Sequence, residues 1–277
     1  MINEIFSNQY IFIIILMVPT AAIAGFFAGL FGIGGGLITV PFLFFIFEHI
    51  DFNQTYLMHL SVGTSFAIII PTSIVSVLTH KKHNSVDVNI IKNYGIFVIS
   101  GVLLGTILAA NLKTKSLLLF FTVVVYCLGA YLLNIKDKTS KLKSNFGLTA
   151  KIILGFISGF ISAPMGIGGA VMNVPILRYF GYPINKAIGS ASAIGFIIAL
   201  FGGLGFFLTG TYLNANLPLS IGFINIPAFL IFIPITMFMA RVGANTSNKM
   251  DKPKLQRFFG IFLYVIGTLF LYRYLNI

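Results

Sequence analysis

Two clusters of glycine stand inside apolar sequence: Gly32, Gly34, Gly35 and Gly36 in the first, Gly166, Gly168 and Gly169 in the second. Adjacent glycines each cost a helix roughly 1 kcal/mol relative to alanine, so a helix that runs into either cluster opens there. The opening ends one helix and starts another. The new N-terminus presents unpaired N–H groups and a partial positive charge, which suits a small anion. Hydroxyls and amides nearby can donate to the same anion without adding charge. Thr39 and Asn173 follow the two clusters at equivalent positions, Thr64, Ser65, Ser190 and Ser192 come further on, and Asn225 lies in the uncharged stretch 187–240. Arg178 and Arg241 are the cations closest to membrane depth. The candidate substrate-binding set is therefore Gly34, Gly35, Gly36, Thr39, Thr64, Ser65, Gly168, Gly169, Asn173, Ser190, Ser192, Asn225, Arg178 and Arg241.

Each of these residues also has a structural reading. Glycine lets helices pack closely, although that motif wants glycines four apart and not three in a row. Serine, threonine and asparagine can bond their own helix backbone. Arg178 and Arg241 can snorkel to the interface instead of holding an anion. Other chemistries are excluded more firmly. Neither glycine cluster has the third glycine or the βαβ setting of a dinucleotide fingerprint, and no Gly-x-x-x-x-Gly-Lys-Ser/Thr loop occurs, so ATP hydrolysis is not expected. Glu4, Glu48, Asp51, Asp87, Asp137 and Asp251 lie at segment ends or in loops, which argues against a carboxylate proton relay at the membrane centre. No nucleophile, base and acid set and no metal-ligand cluster is visible, so no enzyme, metal or cofactor is expected. Cys127, the one cysteine, reads as a buried packing residue, His59 as interfacial, and His49, His80 and His83 as loop residues.

The elements that must position these groups are read from hydropathy and charge. Of the 277 residues 57% are hydrophobic and 9% charged, a balance foreign to soluble domains. Uncharged stretches at 9–47, 52–80, 93–112, 116–135, 152–177 and 187–240 are mostly long enough for a membrane helix, which needs about 20 apolar residues. They lack the period-two alternation of barrel strands, so the chain reads as all-α. The net charge of +12 sits in connections such as 136–151, where Lys and Arg set topology; it does not indicate nucleic-acid binding. Met1 to Tyr10 carries no Lys or Arg ahead of the first apolar stretch, so a cleaved signal peptide is not expected.

Self-comparison reveals a duplication. Residues 25–41 (GFFAGLFGIGGGLITVP) align without a gap on 159–175 (GFISAPMGIGGAVMNVP). Val62-Gly63-Thr64 then matches Ile188-Gly189-Ser190, and Gly105, Leu117 and Phe120 match Gly243, Leu255 and Phe258. The halves are 1–135 and 152–277, joined by a cytoplasmic linker at 136–151. If each glycine-broken segment crosses the membrane once, the Lys and Arg residues split nine and nine between the two sides. If each is a hairpin that enters and leaves on one side, only Lys113, Lys115 and Arg273 fall on one face, and the other fifteen of the 18 fall opposite. That asymmetry favours hairpins and an inverted repeat, each half holding a re-entrant hairpin plus about three transmembrane helices.

With the blocks Gly25-x-x-x-Gly29-x-x-Gly32-Ile-Gly34-Gly35-Gly36 and Gly159-x-x-x-x-x-x-Gly166-Ile-Gly168-Gly169-Ala170, each ending in Val-Pro, the chain resembles the TauE/SafE family of sulfite and organosulfonate exporters. Val62 to Ser65 and Gly243-Ala244 extend the resemblance over nearly the whole chain. It implies a multi-pass protein of a bacterial or archaeal inner membrane that passes sulfite, sulfoacetate or a related anion. The expected partners are that anion and the lipid bilayer, with homo-oligomerisation left open. An importer of another small anion and a non-transporting accessory subunit stand as alternatives. The second copy departs from the pattern at Ala170 and at Ser190-Ala191, so an asymmetric site is expected.

Overall fold

The structure, a computed structural model, describes residues 8–32, 34–49, 53–134, 146–247 and 252–276. Ten helices occur among them: α1 (Asn8–Phe31), α2 (Gly36–His49), α3 (Leu57–Lys82), α4 (Val88–Asn111), α5 (Thr114–Asn134), α6 (Leu148–Met165), α7 (Ala170–Tyr179), α8 (Ile184–Tyr212), α9 (Ile226–Thr246) and α10 (Lys252–Asn276). Six of these, α3, α4, α5, α6, α8 and α9, are long and apolar enough to cross a membrane. Large apolar side chains such as Ile96, Ile107, Leu208 and Phe238 face outward, as lipid requires and water would penalise. The chain is an all-α integral membrane protein. Most of the expected linker, 136–145, lies outside the described residues.

Each half contributes five helices, and their packing follows the sequence duplication. α1 lies along α9 through Gly25 against Thr236 and Gly243 against Phe26 and Leu30. Their counterparts repeat the arrangement: α6 lies along α4 through Gly159 against Val98 and Gly105 against Phe160. In all four places a Cβ would run into the neighbouring backbone. Glycine is what lets these helices approach, and dispersion attraction at close range drives association where lipid removes the hydrophobic term. The centre is α3 packed on α8, the most buried of the six long helices, while α5 pairs with α10 at the periphery.

Helix starts are built the same way in both halves. Asp87 caps α4 by accepting from the Asn89 and Ile90 N–H groups, and Asn225 caps α9 by accepting from Ala228 N–H. A short antiparallel ribbon, β1 (Ser220–Ile221) with β2 (Ile224–Asn225), precedes α9 and divides the uncharged stretch 187–240 into two helices.

Three single-residue expectations are corrected. Cys127 is exposed on α5, where it faces outward and does not fill the core. His59 is 1% exposed, wedged between the Tyr56 and Phe223 rings with Nε2 3.1 Å from the Ala109 carbonyl. His80 is not in a loop but in the last turn of α3, buried, donating to the Gly29 carbonyl at 3.0 Å. Both histidines donate to carbonyls in the last turns of α4 and α1, where backbone acceptors outnumber helix donors.

Candidate functional site

The chain opens where the glycines cluster. α6 ends at Gly166, whose φ of +64° is the left-handed turn that closes a helix at little cost only in glycine. In the first copy Gly34 and Gly35 hold φ of +73° and +83°. α2 and α7 then restart at Gly36 and Ala170. The two openings meet each other in the buried interior. A Cβ on Gly34 would sit 3.4 Å from Gly168 Cα, and one on Gly36 would overlap the Gly166 carbonyl and reach Ile167. Ser65 donates to that Gly166 carbonyl at 3.0 Å, so α3 of the first half holds the second break.

Backbone donors gather at this junction. Ile38 and Thr39 N–H both turn to the Gly35 carbonyl, while Ala170 and Asn173 N–H turn to Gly168 and Gly169. The N–H groups of Gly168, Gly169, Val171 and Met172 donate to no described residue. The side chains that touch the breaks, including Ile69, Ser73, Val40, Val62 and Ser192, carry no formal charge. Uncompensated helix N-termini are therefore the polar feature of the place, and they favour a negative guest.

Of the predicted residues, Gly34, Gly35, Gly36, Gly168, Gly169, Thr39, Ser65 and Asn173 come together at or beside the breaks, all of them buried. Thr39 bonds the Gly35 carbonyl one turn back, at 3.1 Å. Asn173, its counterpart, does the same to Gly169 at 2.5 Å and also accepts from Tyr94 Oη at 2.7 Å and Ser158 Oγ at 2.9 Å. Ser192 bonds Ile188 in its own helix, faces Ser76 Oγ at 3.3 Å and sits against Gly32.

Three others are engaged in the framework. Thr64 Oγ1 accepts from Asn225 N–H at 2.9 Å, and Ser190 Oγ accepts from Asp87 N–H at 3.0 Å. The matched pair Thr64 and Ser190 thus ties α3 and α8 to the capping residues of α9 and α4. Burial, joined by the neighbouring Asp87 carboxylate, pushes the phenol of Tyr182 up at the same corner as Ser190. Arg178 is half-buried in the last turn of α7, and Arg241 is exposed on α9; neither appears among the groups that line the breaks.

Sequence reasoning missed Ser73, Ile69 and Gly195. Ser73 is 1% exposed, its Oγ lies 3.5 Å from the Cβ position of Gly34, and it has no hydrogen bond to a described residue. Ile69 covers Gly34 and Gly36, whose added Cβ atoms would come within 2.8 and 3.0 Å of its methyls. Gly195, its counterpart in the register that pairs Gly63 with Gly189, stands beside Gly168 and Gly169. Extending that register by six residues would have found the pair. Glu48 at the end of α2, accepting from Arg273 of α10, was also unforeseen.

Known proteins share this pattern along most of the chain. The family model described as Sulfite exporter TauE/SafE matches residues 17–270. A "Probable membrane transporter protein" of Haemophilus influenzae is 33% identical over 256 residues, covering 92% of this chain and 96% of its own length. A protein of the same description from Methanocaldococcus jannaschii is 28% identical over 272 residues, 93% of this chain and 96% of its own, and one from Bacillus subtilis is 24% identical over 282 residues, 94% and 97%. No solved structure matches significantly. The glycine breaks, the six long apolar helices and these matches lead to one identification: the chain belongs to the TauE/SafE family of membrane transporters.

Proposed function

We propose that the protein is a secondary carrier that moves small sulfur-containing anions, such as sulfite, sulfoacetate or related organosulfonates, outward across the inner membrane of a bacterium or archaeon. Two halves, 1–135 and 152–277, joined by 136–151, alternate access to a site at their apposed glycine breaks. The observation that carries this reading is the meeting of the two breaks in the buried interior, Gly34 beside Gly168 and Gly36 beside Gly166. Opened backbone at membrane depth is tolerated where it is enclosed in protein or lines a cavity, and two copies aimed at one place make a midplane anion site.

Each broken pair is read as a re-entrant hairpin and the halves as inverted. In support, α2 begins opposite Ile69, half-way along α3, and ends at Glu48 beside Arg273 near the end of α10. α1 passes the depth of Gly29, opposite His80 at the end of α3, before the chain returns to Ile69. The lopsided distribution of Lys and Arg agrees. Outward movement of an anion is favoured by an inside-negative potential, by about 2.3 kcal/mol per charge per 100 mV.

Proteoliposomes loaded with sulfite under an imposed inside-negative potential test the function. Efflux above that of empty vesicles, steepening with the potential, is expected for sulfite and for a simple alkanesulfonate. Flux only inward, or none, would overturn the export reading.

A further inference from the structure

His59 stands in the first turn of α3, apart from the glycine breaks, with its side chain buried. Its Nε2 lies 3.1 Å from the Ala109 carbonyl. A carbonyl oxygen only accepts, so Nε2 carries the proton of the neutral ring and Nδ1 is left as a bare lone pair. Nδ1 is buried and has no hydrogen-bond partner among the described residues. One reaction is open to such a nitrogen in the ordinary pH range, the uptake of a second proton.

The surroundings decide what that proton would do. Ring centroids of Phe223, Tyr56 and Phe206 lie 5.1, 5.8 and 6.5 Å from the imidazole. Around it the titratable and charged groups are Tyr56 itself and the exposed Lys113 and Lys115, where α4 gives way to α5. α8 and the ribbon face it with Phe206 and Phe223, which do not titrate. No carboxylate occurs within α3, α4, α5, α8 or the ribbon, so an imidazolium enclosed here would have no counter-ion. Aromatic faces attract a cation, but by less than the hydration it would lose. The cage suits the neutral ring, and a charged ring needs water.

Phe223 is the wall with the fewest ties. Phe206 lies within the 29-residue α8, whereas Phe223 sits in a ribbon whose strands are two residues each. The ribbon is seated on three consecutive residues of α3. A Cβ on Gly63 would overlap the Phe223 carbonyl, Thr64 Oγ1 accepts from Asn225 N–H at 2.9 Å, and Ser65 donates to the Gly166 carbonyl of the second break. Ribbon and break are thus joined through neighbouring residues. The other half repeats the seat without the histidine: Gly189 faces the Ser85 carbonyl and Ser190 accepts from Asp87 N–H, but the position matching His59 is Asn185, which is exposed and does not titrate.

We infer that His59 is a proton-operated latch for the ribbon 220–225. Neutral, it completes the cage that seats Phe223; protonated at Nδ1, it draws in water, unseats Phe223 and frees the Asn225–Thr64 tie beside the second break. The latch does not depend on which anion is carried. The seated ribbon is favoured in full above the ordinary histidine range, about pH 6.5, and loses that advantage as pH falls below it.

Hydrogen–deuterium exchange of the full chain in lipid nanodiscs tests this, read on the segment from Phe223 to Asn225 and corrected for the intrinsic pH dependence of exchange. Wild type, His59→Gln and His59→Asn are compared at about pH 7.5 and about pH 5.5, on either side of histidine titration. Gln offers an N–H to the Ala109 carbonyl without titrating, and Asn copies the second half. Wild-type protection should fall about tenfold between the two pH values, as when the open state alone takes up the proton with ordinary affinity, while each variant should hold to within about twofold. If one variant does not fold, the other decides. Wild type also decides alone: a fall centred near about pH 6.5 supports the latch, and protection constant to within about twofold overturns it. An equal fall in wild type and in a folded variant that cannot titrate would overturn it too.

Discussion

The first and second breaks begin with nearly the same sequence, Gly-Ile-Gly-Gly, yet their surroundings differ at two matched positions. Thr39 bonds only its own helix, whereas Asn173 joins α7 to Tyr94 of α4 and Ser158 of α6. Ile69 covers Gly34 and Gly36 in the first opening, whereas in the second Gly195 stands at the matched position and Ile198 covers Gly169. A buried polar network thus fixes the backbone at the second break, where the first has a single local bond.

Mutations can break or sharpen this contrast. The largest effect is expected where the two breaks touch. Gly36→Val forces a side chain into the Gly166 carbonyl and Ile167, and should cost more than about 4 kcal/mol, read as loss of a monodisperse peak in detergent. Next come the matched positions Asn173 and Thr39. Asn173→Ala leaves the buried Tyr94 and Ser158 hydroxyls without their acceptor and should destabilise by about 2–3 kcal/mol. Thr39→Val loses only a bond to its own helix and should cost less than about 1 kcal/mol, so thermal unfolding of the two variants should separate clearly. Thr64→Val strands the N–H of Asn225, which is 4% exposed, for about 1–2 kcal/mol. Ser190→Ala strands Asp87 N–H where water has partial access and should cost about half as much. Cys127→Ala, on the outward face of α5, should fall within about 0.5 kcal/mol of wild type in the same unfolding assay.

Much of the architecture is legible in the sequence because it is written in glycine. The clusters at 32–36 and 166–169 do open their helices, and Gly105 and Gly243 mark equivalent helix crossings. The turn between α8 and α9 was hidden, since 187–240 has no Lys or Arg to mark a membrane boundary; its signal was Asn214, Asn216 and Pro218, a cluster of turn formers. Capping roles were hidden for another reason. Thr64, Ser190 and Asn225 have the chemistry of anion ligands, and only the three-dimensional path of the neighbouring N–H groups shows them bonded to the framework. Ser73 lies outside the duplicated blocks, so no spacing drew attention to it. His59 and His80 sit at a segment end and beside a charge cluster, which suggested the interface and a loop, while their hydrogen bonds to the Ala109 and Gly29 carbonyls hold them inside.

The central claim is that each half contains a hairpin and that the halves are inverted. Single cysteines placed in a Cys127→Ala background, at Gln9 and Asn53 around the first hairpin and at Gly147 and Tyr182 around the second, test it with a membrane-impermeant thiol reagent on sealed, oriented vesicles. Positions 9 and 53 should label from one face, and 147 and 182 from the opposite face. Labelling of 9 and 53 from opposite faces, or of all four from the same face, would contradict the account.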